Sequence, residues 1–148
     1  MGIEIERKFL VDKTLWEKVE KGKGVRIVQG YLLTSPEKTI RVRIKGNKGF
    51  LTIKGQTRGV SRKEFEYEIP FQEAEDLLLT FCPKRIDKVR YEIDFEGYVW
   101  EVDEFKEPMS SLVLAEIELK NEDEKFMLPK WVTEEVSDNL QYYNANMI

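Results

Sequence analysis

The chain has 148 residues, a length that points to one domain spanning 1–148. Hydrophobic residues are 41% and charged residues 35%, above the roughly 25% usual in soluble domains. Net charge is only −4, so a globally basic nucleic-acid binder or a polybasic membrane-surface protein is not expected.

There is no histidine, which excludes Ser-His-Asp and Cys-His catalysis and histidine-ligated zinc. A bound metal would then rest on carboxylates, the donors that suit Mg²⁺, Mn²⁺ or Ca²⁺. Cys82 is the single cysteine and follows the apolar run 77–81, so a buried thiol is expected. No stretch approaches the ~18 apolar residues of a membrane span, and strand patterning begins at once, so a soluble cytoplasmic protein is expected.

The first element is a strand over Glu4–Val11. Alternation puts Glu4, Glu6 and Lys8 on one face, and Ile5, Phe9 and Val11 on the other. A short helix follows over Thr14–Lys21, capped by Asp12 or Thr14. Strands are predicted over Val25–Leu33, Thr39–Lys45, Phe50–Lys54 and Val60–Pro70. Gly46–Gly49 is a hairpin signal between the second and third of these four. A helix over Gln72–Phe81 is stopped by Pro83. Strands over Arg85–Phe95, Tyr98–Phe105 and Leu112–Lys120 complete the set, with a loop at Glu107–Ser110. A short helix is expected over Asn121–Lys125. The tail from Trp131 to Ile148 reads as irregular or weakly helical, packed on the outside.

Eight largely antiparallel strands have polar faces made of charge. Like signs repeat along single strands: Glu4/Glu6, Arg41/Arg43, Glu64/Glu66, Lys88/Arg90 and Glu116/Glu118. Two architectures fit. One is a sheet with a solvated charged face, the commoner outcome for alternating charge. The other is a closed barrel with charged faces inward and apolar faces covered by helices. Repetition of one sign costs stability unless a ligand answers it, which favours the barrel. An eight-stranded barrel is wide enough for one small ligand. Arginine and lysine rows recognise phosphate, and carboxylate rows hold a hard cation. Two carboxylates one strand repeat apart, about 7 Å, can flank one ion. A metal-bound phosphate chain is the leading candidate ligand.

Glu4-Ile5-Glu6-Arg7-Lys8 resembles the E-x-E-x-K signature of the CYTH superfamily, the triphosphate tunnel metalloenzymes. Arg41-Val42-Arg43, Thr52-Ile53-Lys54, Arg62 with Glu64 and Glu66, Lys88-Val89-Arg90, Glu101-Val102-Asp103 and Glu116-Ile117-Glu118 resemble its later strands in order. The resemblance implies an α+β, mainly-β fold: an eight-stranded antiparallel closed barrel, or tunnel, with a charged interior and helices packed outside. It implies a divalent-metal-dependent phosphoanhydride hydrolase acting on inorganic triphosphate, with Mg²⁺ or Mn²⁺ as cofactor.

In that scheme Glu4, Glu6 and Glu118 hold metal, with Glu116 beside them. Lys8, Arg41, Arg43, Lys54, Arg62, Lys88 and Arg90 bind the phosphates. Glu64, Glu66, Asp103 and Glu116 either hold a second ion, orient the attacking water, or serve as structural partners of the basic rows. Glu4, Glu6, Lys8 and Lys54 count with Glu64, Glu66 and Asp103 as the catalytic set. Glu68, Glu92, Asp94 and Glu101 are expected at the rim, and Tyr31 in packing. Adenylate cyclase, nucleoside or thiamine triphosphatase and a non-catalytic polyphosphate-binding module stand as alternatives. The partner expected is a small-molecule triphosphate, without nucleic acid or membrane. The apolar tail and exposed aromatics permit a homodimer.

Overall fold

The structure, a computed structural model, describes residues 2–106 and 109–148. Of the loop expected at Glu107–Ser110, Glu107 and Pro108 lie outside the described residues. The strands are β1 (Ile3–Val11), β2 (Val25–Thr34), β3 (Lys38–Lys45), β4 (Lys48–Gly55), β5 (Ser61–Ile69), β6 (Ile86–Phe95), β7 (Tyr98–Phe105), β8 (Val113–Glu118) and β9 (Val132–Glu135). The helices are α1 (Lys13–Glu17) and α2 (Phe71–Phe81).

Strand order is β5-β4-β3-β2-β6-β7-β8-β1-β9, and a further β5–β1 pairing closes the first eight strands into a barrel. All pairings are antiparallel. The solvated-sheet alternative therefore falls. The closing seam is short. Ile3, Glu4 and Ile5 face Lys63, Arg62 and Ser61. Further along, the same edge of β1 pairs with β9, through Phe9↔Glu135 and Val11↔Val132. β9 was not expected from sequence: four residues carry too little alternation to declare a strand, and the edge of β1 supplies the partner.

One hairpin turn and one helix cap fit their chemistry. Glu96 and Gly97 both have positive φ, 49° and 82°, between the paired Phe95 and Tyr98, as a two-residue hairpin of matching twist requires. Asp12 caps α1 by accepting from Leu15 N at 3.1 Å. That helix ends at Glu17 rather than Lys21. Lys21 Nζ turns back to donate to the Trp16 and Val19 carbonyls, holding the chain in a turn after the helix. The helix expected over Asn121–Lys125 is absent among the described residues, where the chain makes bends and turns.

Outward strand faces are covered in two places. Phe9, Trp100, Val102, Ala115 and Ile117 pack with Trp16 of α1 and Trp131. Val42 packs with Ala74, Leu78 and Cys82 from α2 and its end. Helix α2 approaches closely because glycine faces it. A Cβ at Gly49 would lie 2.6 Å from Ala74 Cβ, and one at Gly30 would lie 2.6 Å from Cys82 Cβ. Cys82 is a buried free thiol, as expected. No helix among the described residues is long and apolar enough to cross a membrane.

Candidate active site

Strand alternation decides what enters the barrel. In β1, Glu4, Glu6, Lys8 and Leu10 point inward. Register carries the same face round to Glu118, Glu116 and Leu114 of β8, and to Glu101 and Asp103 of β7. From there it passes to Arg90 and Lys88 of β6 and to Ile27 and Gln29 of β2. Arg43, Arg41, Thr52, Lys54, Glu66 and Glu64 complete it through β3, β4 and β5. Burial agrees: Lys88 is 0% exposed, Asp103 1%, and Lys8, Arg41, Lys54, Arg90, Glu4 and Glu116 all lie under 9%.

These side chains form linked clusters. Lys54 Nζ bridges Glu4 at 3.1 Å and Glu64 at 3.3 Å, and Arg62 Nε reaches Glu4 at 3.2 Å. Asp103 receives a two-point grip from Arg90, Nε to Oδ1 at 2.8 Å and Nη2 to Oδ2 at 2.9 Å. It also meets Lys88 Nζ at 2.8 Å. Arg90 lies 3.6 Å from Glu116 and 3.4 Å from Glu101. Arg41 Nη2 donates to Thr52 Oγ1 at 3.1 Å and lies 3.4 Å from Glu66.

Burial and neighbouring charge set the protonation states. Burial pushes Glu6 well above the usual carboxylate range, and the negative Glu116 and Glu4 add to it. Burial acts on Glu116 in the same direction, but Lys8, the hydrogen bond with Glu6, Arg90 and Lys88 outweigh it and hold Glu116 well below. Burial also raises Asp103, yet Lys88 and Arg90 prevail and bring it down to about 2. Burial drives Lys88 down to about 7, against Asp103, with Arg90 and Arg43 reinforcing the fall. Arg43 falls to about 9 through burial, then Arg41 and Arg90. Glu4 ends lowered because Lys54 and Arg62 overcome its burial. Glu64 is raised by burial and by Glu4, and Glu118 by burial and then Glu4, Glu64 and Glu101.

The residues singled out from sequence are brought to one lumen, though not equally deep. Glu118 and Glu66 are exposed at the rim. Glu101, expected at the rim, reaches inward to Arg90. Three groups went unrecognised. Gln29 is fully buried, and its Oε1 accepts from Arg43 Nε at 2.8 Å. Thr52 donates to Glu66 at 2.8 Å. The tail was expected outside, yet Lys8 Nζ donates to the Tyr142 carbonyl at 2.9 Å and Lys88 Nζ to Asn144 Oδ1 at 3.1 Å. Gln29 was the one detectable case. It stands in phase with Tyr31, which shares the inward face, on the strand beside Arg41 and Arg43.

Chemically, this is a lumen of interleaved cations and carboxylates. The buried Nε of Arg41 has no hydrogen-bond partner among the described residues. Buried donors are normally satisfied, so an unpaired guanidinium N–H in a charged cavity suits an anion.

The comparisons agree with this architecture. A family model described as the CYTH domain matches residues 2–148. An inorganic triphosphatase of Acetivibrio thermocellus is 45% identical, covering 100% of this chain and 94% of that protein. An inorganic triphosphatase of Nitrosomonas europaea is 35% identical, covering 95% and 93%. The crystal structure of an inorganic triphosphatase superposes with a TM-score of 0.67 at 33% identity, covering 97% of this chain and 96% of that one. With a family match over nearly its whole length and a closed barrel carrying the charged rows inward, the chain belongs to the CYTH domain family.

Proposed function

We propose that this protein hydrolyses inorganic triphosphate to pyrophosphate and phosphate, as a single tunnel domain acting with Mg²⁺ or Mn²⁺. The carrying observation is the closed barrel in which seven basic side chains from β1, β3, β4, β5 and β6 face carboxylates of β1, β5, β7 and β8. Two relatives named inorganic triphosphatase, similar along nearly the full chain, support the substrate.

The donor set fits a hard divalent cation. Among the described residues no three acids already converge as ligands. However, Glu6 and Glu118 are raised by burial first and then by their negative neighbours, and a cation would offset both costs. Glu4, Glu6, Glu116 and Glu118 are the residues to hold the ion. When bound, it offsets negative charge on phosphate oxygens.

Lys8, Arg41, Arg43, Lys54, Arg62, Lys88 and Arg90 bind the chain and neutralise charge as it develops on the leaving pyrophosphate. A water oxygen attacks the terminal phosphorus in line. The bridging P–O bond breaks, and its electrons leave with pyrophosphate. Asp103, held down near 2 by two cations, is a poor base and instead fixes Lys88 and Arg90. Glu66 is tied to Thr52 and Arg41. Glu64, raised and partly exposed, takes the water proton. The substrate is a small molecule met in the cytoplasm, and a sequence pI near 5.2 does not suit nucleic acid.

The test is a substrate panel of tripolyphosphate, ATP, thiamine triphosphate and longer polyphosphate, with each metal. Phosphate release from tripolyphosphate should dominate. It should fall on the order of 10²–10³-fold in Glu6→Ala and Lys54→Ala, with the fold intact by circular dichroism. Rapid turnover of ATP with weak action on tripolyphosphate, or cyclic AMP as product, sinks the proposal.

A further inference from the structure

Four of the lumen's cations are paired directly with buried carboxylates, Lys54 and Arg62 with Glu4, and Lys88 and Arg90 with Asp103. The Arg41–Arg43 row is held differently. β3 runs between β2 and β4, so each of its guanidiniums has a cross-strand neighbour on either side. Arg43 stands opposite Gln29 of β2 and Phe50 of β4, and Arg41 opposite Tyr31 of β2 and Thr52 of β4. The two turn opposite ways. Arg43 Nε donates to Gln29 Oε1 at 2.8 Å, toward β2, and Phe50 offers no acceptor on the other side. Arg41 Nη2 donates to Thr52 Oγ1 at 3.1 Å, toward β4. Both acceptors are fully buried and neither carries charge.

Each acceptor is oriented in turn. Thr52 Oγ1 gives its one proton to Glu66 Oε2 at 2.8 Å, so a lone pair is left for Arg41. Gln29 Nε2 lies 3.4 Å from Asn144 Oδ1, at the start of the 3₁₀ turn Asn144–Asn146, and 3.5 Å from the Tyr31 hydroxyl, which leaves Oε1 for Arg43. Among the described residues the one carboxylate paired with either guanidinium is Glu66, 3.4 Å from Arg41 and with its side chain 42% exposed. The two forks sit one strand repeat apart, about 7 Å along β3, and like charges at that distance repel. A carboxylate between them would relieve the repulsion and cancel the charge that a phosphate needs. An uncharged acceptor fixes the direction of a guanidinium and leaves its charge for the substrate. Arg41 Nε, buried and without a partner, is one donor left over in this way.

We propose that Gln29 and Thr52 are positioning residues: by drawing Arg43 toward β2 and Arg41 toward β4, they hold the two forks apart so that each grips a different phosphate of the chain. The inference rests on the triphosphatase reading above and adds what sets the spacing of its phosphate donors.

Thr52→Val keeps the side chain's shape without the hydroxyl, and Gln29→Met keeps its length without the amide. Each should raise KM for tripolyphosphate about 10-fold, as expected for one hydrogen bond to a charged group, with kcat changed less than about 3-fold. Inorganic phosphate fills one fork only, so its inhibition constant should move less than about 2-fold. Thr52→Ser should restore the native KM. Gln29→Glu separates direction from charge. It reaches Arg43 equally well but cancels its charge, so KM should rise at least as far as in Gln29→Met while the unfolding midpoint holds; a merely structural role would be served by either residue. Because both clamps set one spacing, the double variant Gln29→Met with Thr52→Val should fall short of the product of the two single effects. Unfolding followed by circular dichroism identifies a variant that does not fold, and the other clamp with its conservative replacement then carries the test. Native-like KM in both single variants overturns the proposal, as do an equal loss for inorganic phosphate, a native KM in Gln29→Glu, or a double variant that multiplies the single effects. Failure of the triphosphatase reading looks different: the native protein releases no phosphate from tripolyphosphate, and calorimetric dissociation constants for tripolyphosphate and inorganic phosphate then rank the same variants. A native protein that binds no tripolyphosphate overturns both.

Discussion

Lys88 shows how one residue can be both structural and responsive. It is fully buried, salt-bridged to Asp103, and faces Arg90 two residues on along β6, Arg43 of β3 and Glu116 of β8. Its folded pKa of about 7 lies below its ordinary 10.5. Between those values the unfolded chain holds the proton that the folded chain lacks, so this group's contribution to stability rises with pH across that window. Phosphate binding reverses the preference, because a polyanion favours charged lysine. At pH 8, metal-free tripolyphosphate should therefore bind with uptake of a proton. Titration calorimetry in buffers of differing ionisation heat reads it directly. Lys88→Arg should bind with markedly less uptake, and equal uptake in both proteins removes Lys88 from the account. The residue scale was also the most legible in sequence. Glu4, Glu6, Lys8, Arg41, Arg43, Lys88 and Arg90 fall on one face because a period of two needs no knowledge of partners. Gln29 was detectable by the same alternation but was passed over, because its face of β2 is otherwise Val25, Ile27 and Tyr31, and an apolar face reads as core.

At the scale of elements, α2 and the sheet are matched through absent side chains. Adding a methyl at Gly49 brings it to 2.6 Å from Ala74 Cβ, on the outer face away from the lumen. Gly49→Ala should cost roughly 1–3 kcal/mol by overpacking, read as a lowered unfolding midpoint, with the activity per folded molecule retained. Gly22→Ala, whose Cβ meets nothing within 4 Å, is the control and should change little. A Gly49 variant as stable as the native chain would mean that α2 is free to move away. Element boundaries were read to within a few residues where alternation or helical spacing was strong, as in β7 and α2. β9 and the 3₁₀ turns of the tail escaped for a different reason. Their backbone is held by groups far along the chain, Val136 N donating to Lys8 O at 2.8 Å and Lys8 N to Ser137 Oγ at 3.0 Å. Local propensity contains no trace of such partners.

For the whole molecule, the lumen is a set of charges held close against their mutual repulsion. Arg43 is lowered partly by Arg41 and Arg90, and Glu6 raised partly by Glu116 and Glu4. A bound polyanion with its cation relieves both signs together. At 100 times its dissociation constant such a ligand adds about 2.7 kcal/mol. For a domain of this size that is roughly a 5–10 °C rise in Tm. Scanning calorimetry with tripolyphosphate and Mg²⁺ checks it, and no rise at millimolar ligand would remove the lumen as the binding place.

Closure also has a consequence during synthesis. β1 is made first, yet its neighbours are β5, β8 and β9, and its Lys8 amide bonds a residue 129 positions later. The β2–β5 meander has its partners early, while β1 must wait for nearly the whole chain. At 5–20 residues per second the wait for β8 is of the order of ten seconds, with the edge along Glu6–Leu10 bare meanwhile. An unpaired edge of apolar residues invites pairing with other nascent chains. Here every second residue from Glu4 to Lys8 is charged, with Arg7 among them. The side chains that later line the lumen are therefore also the gatekeepers that keep an orphan strand from aggregating before its partners exist.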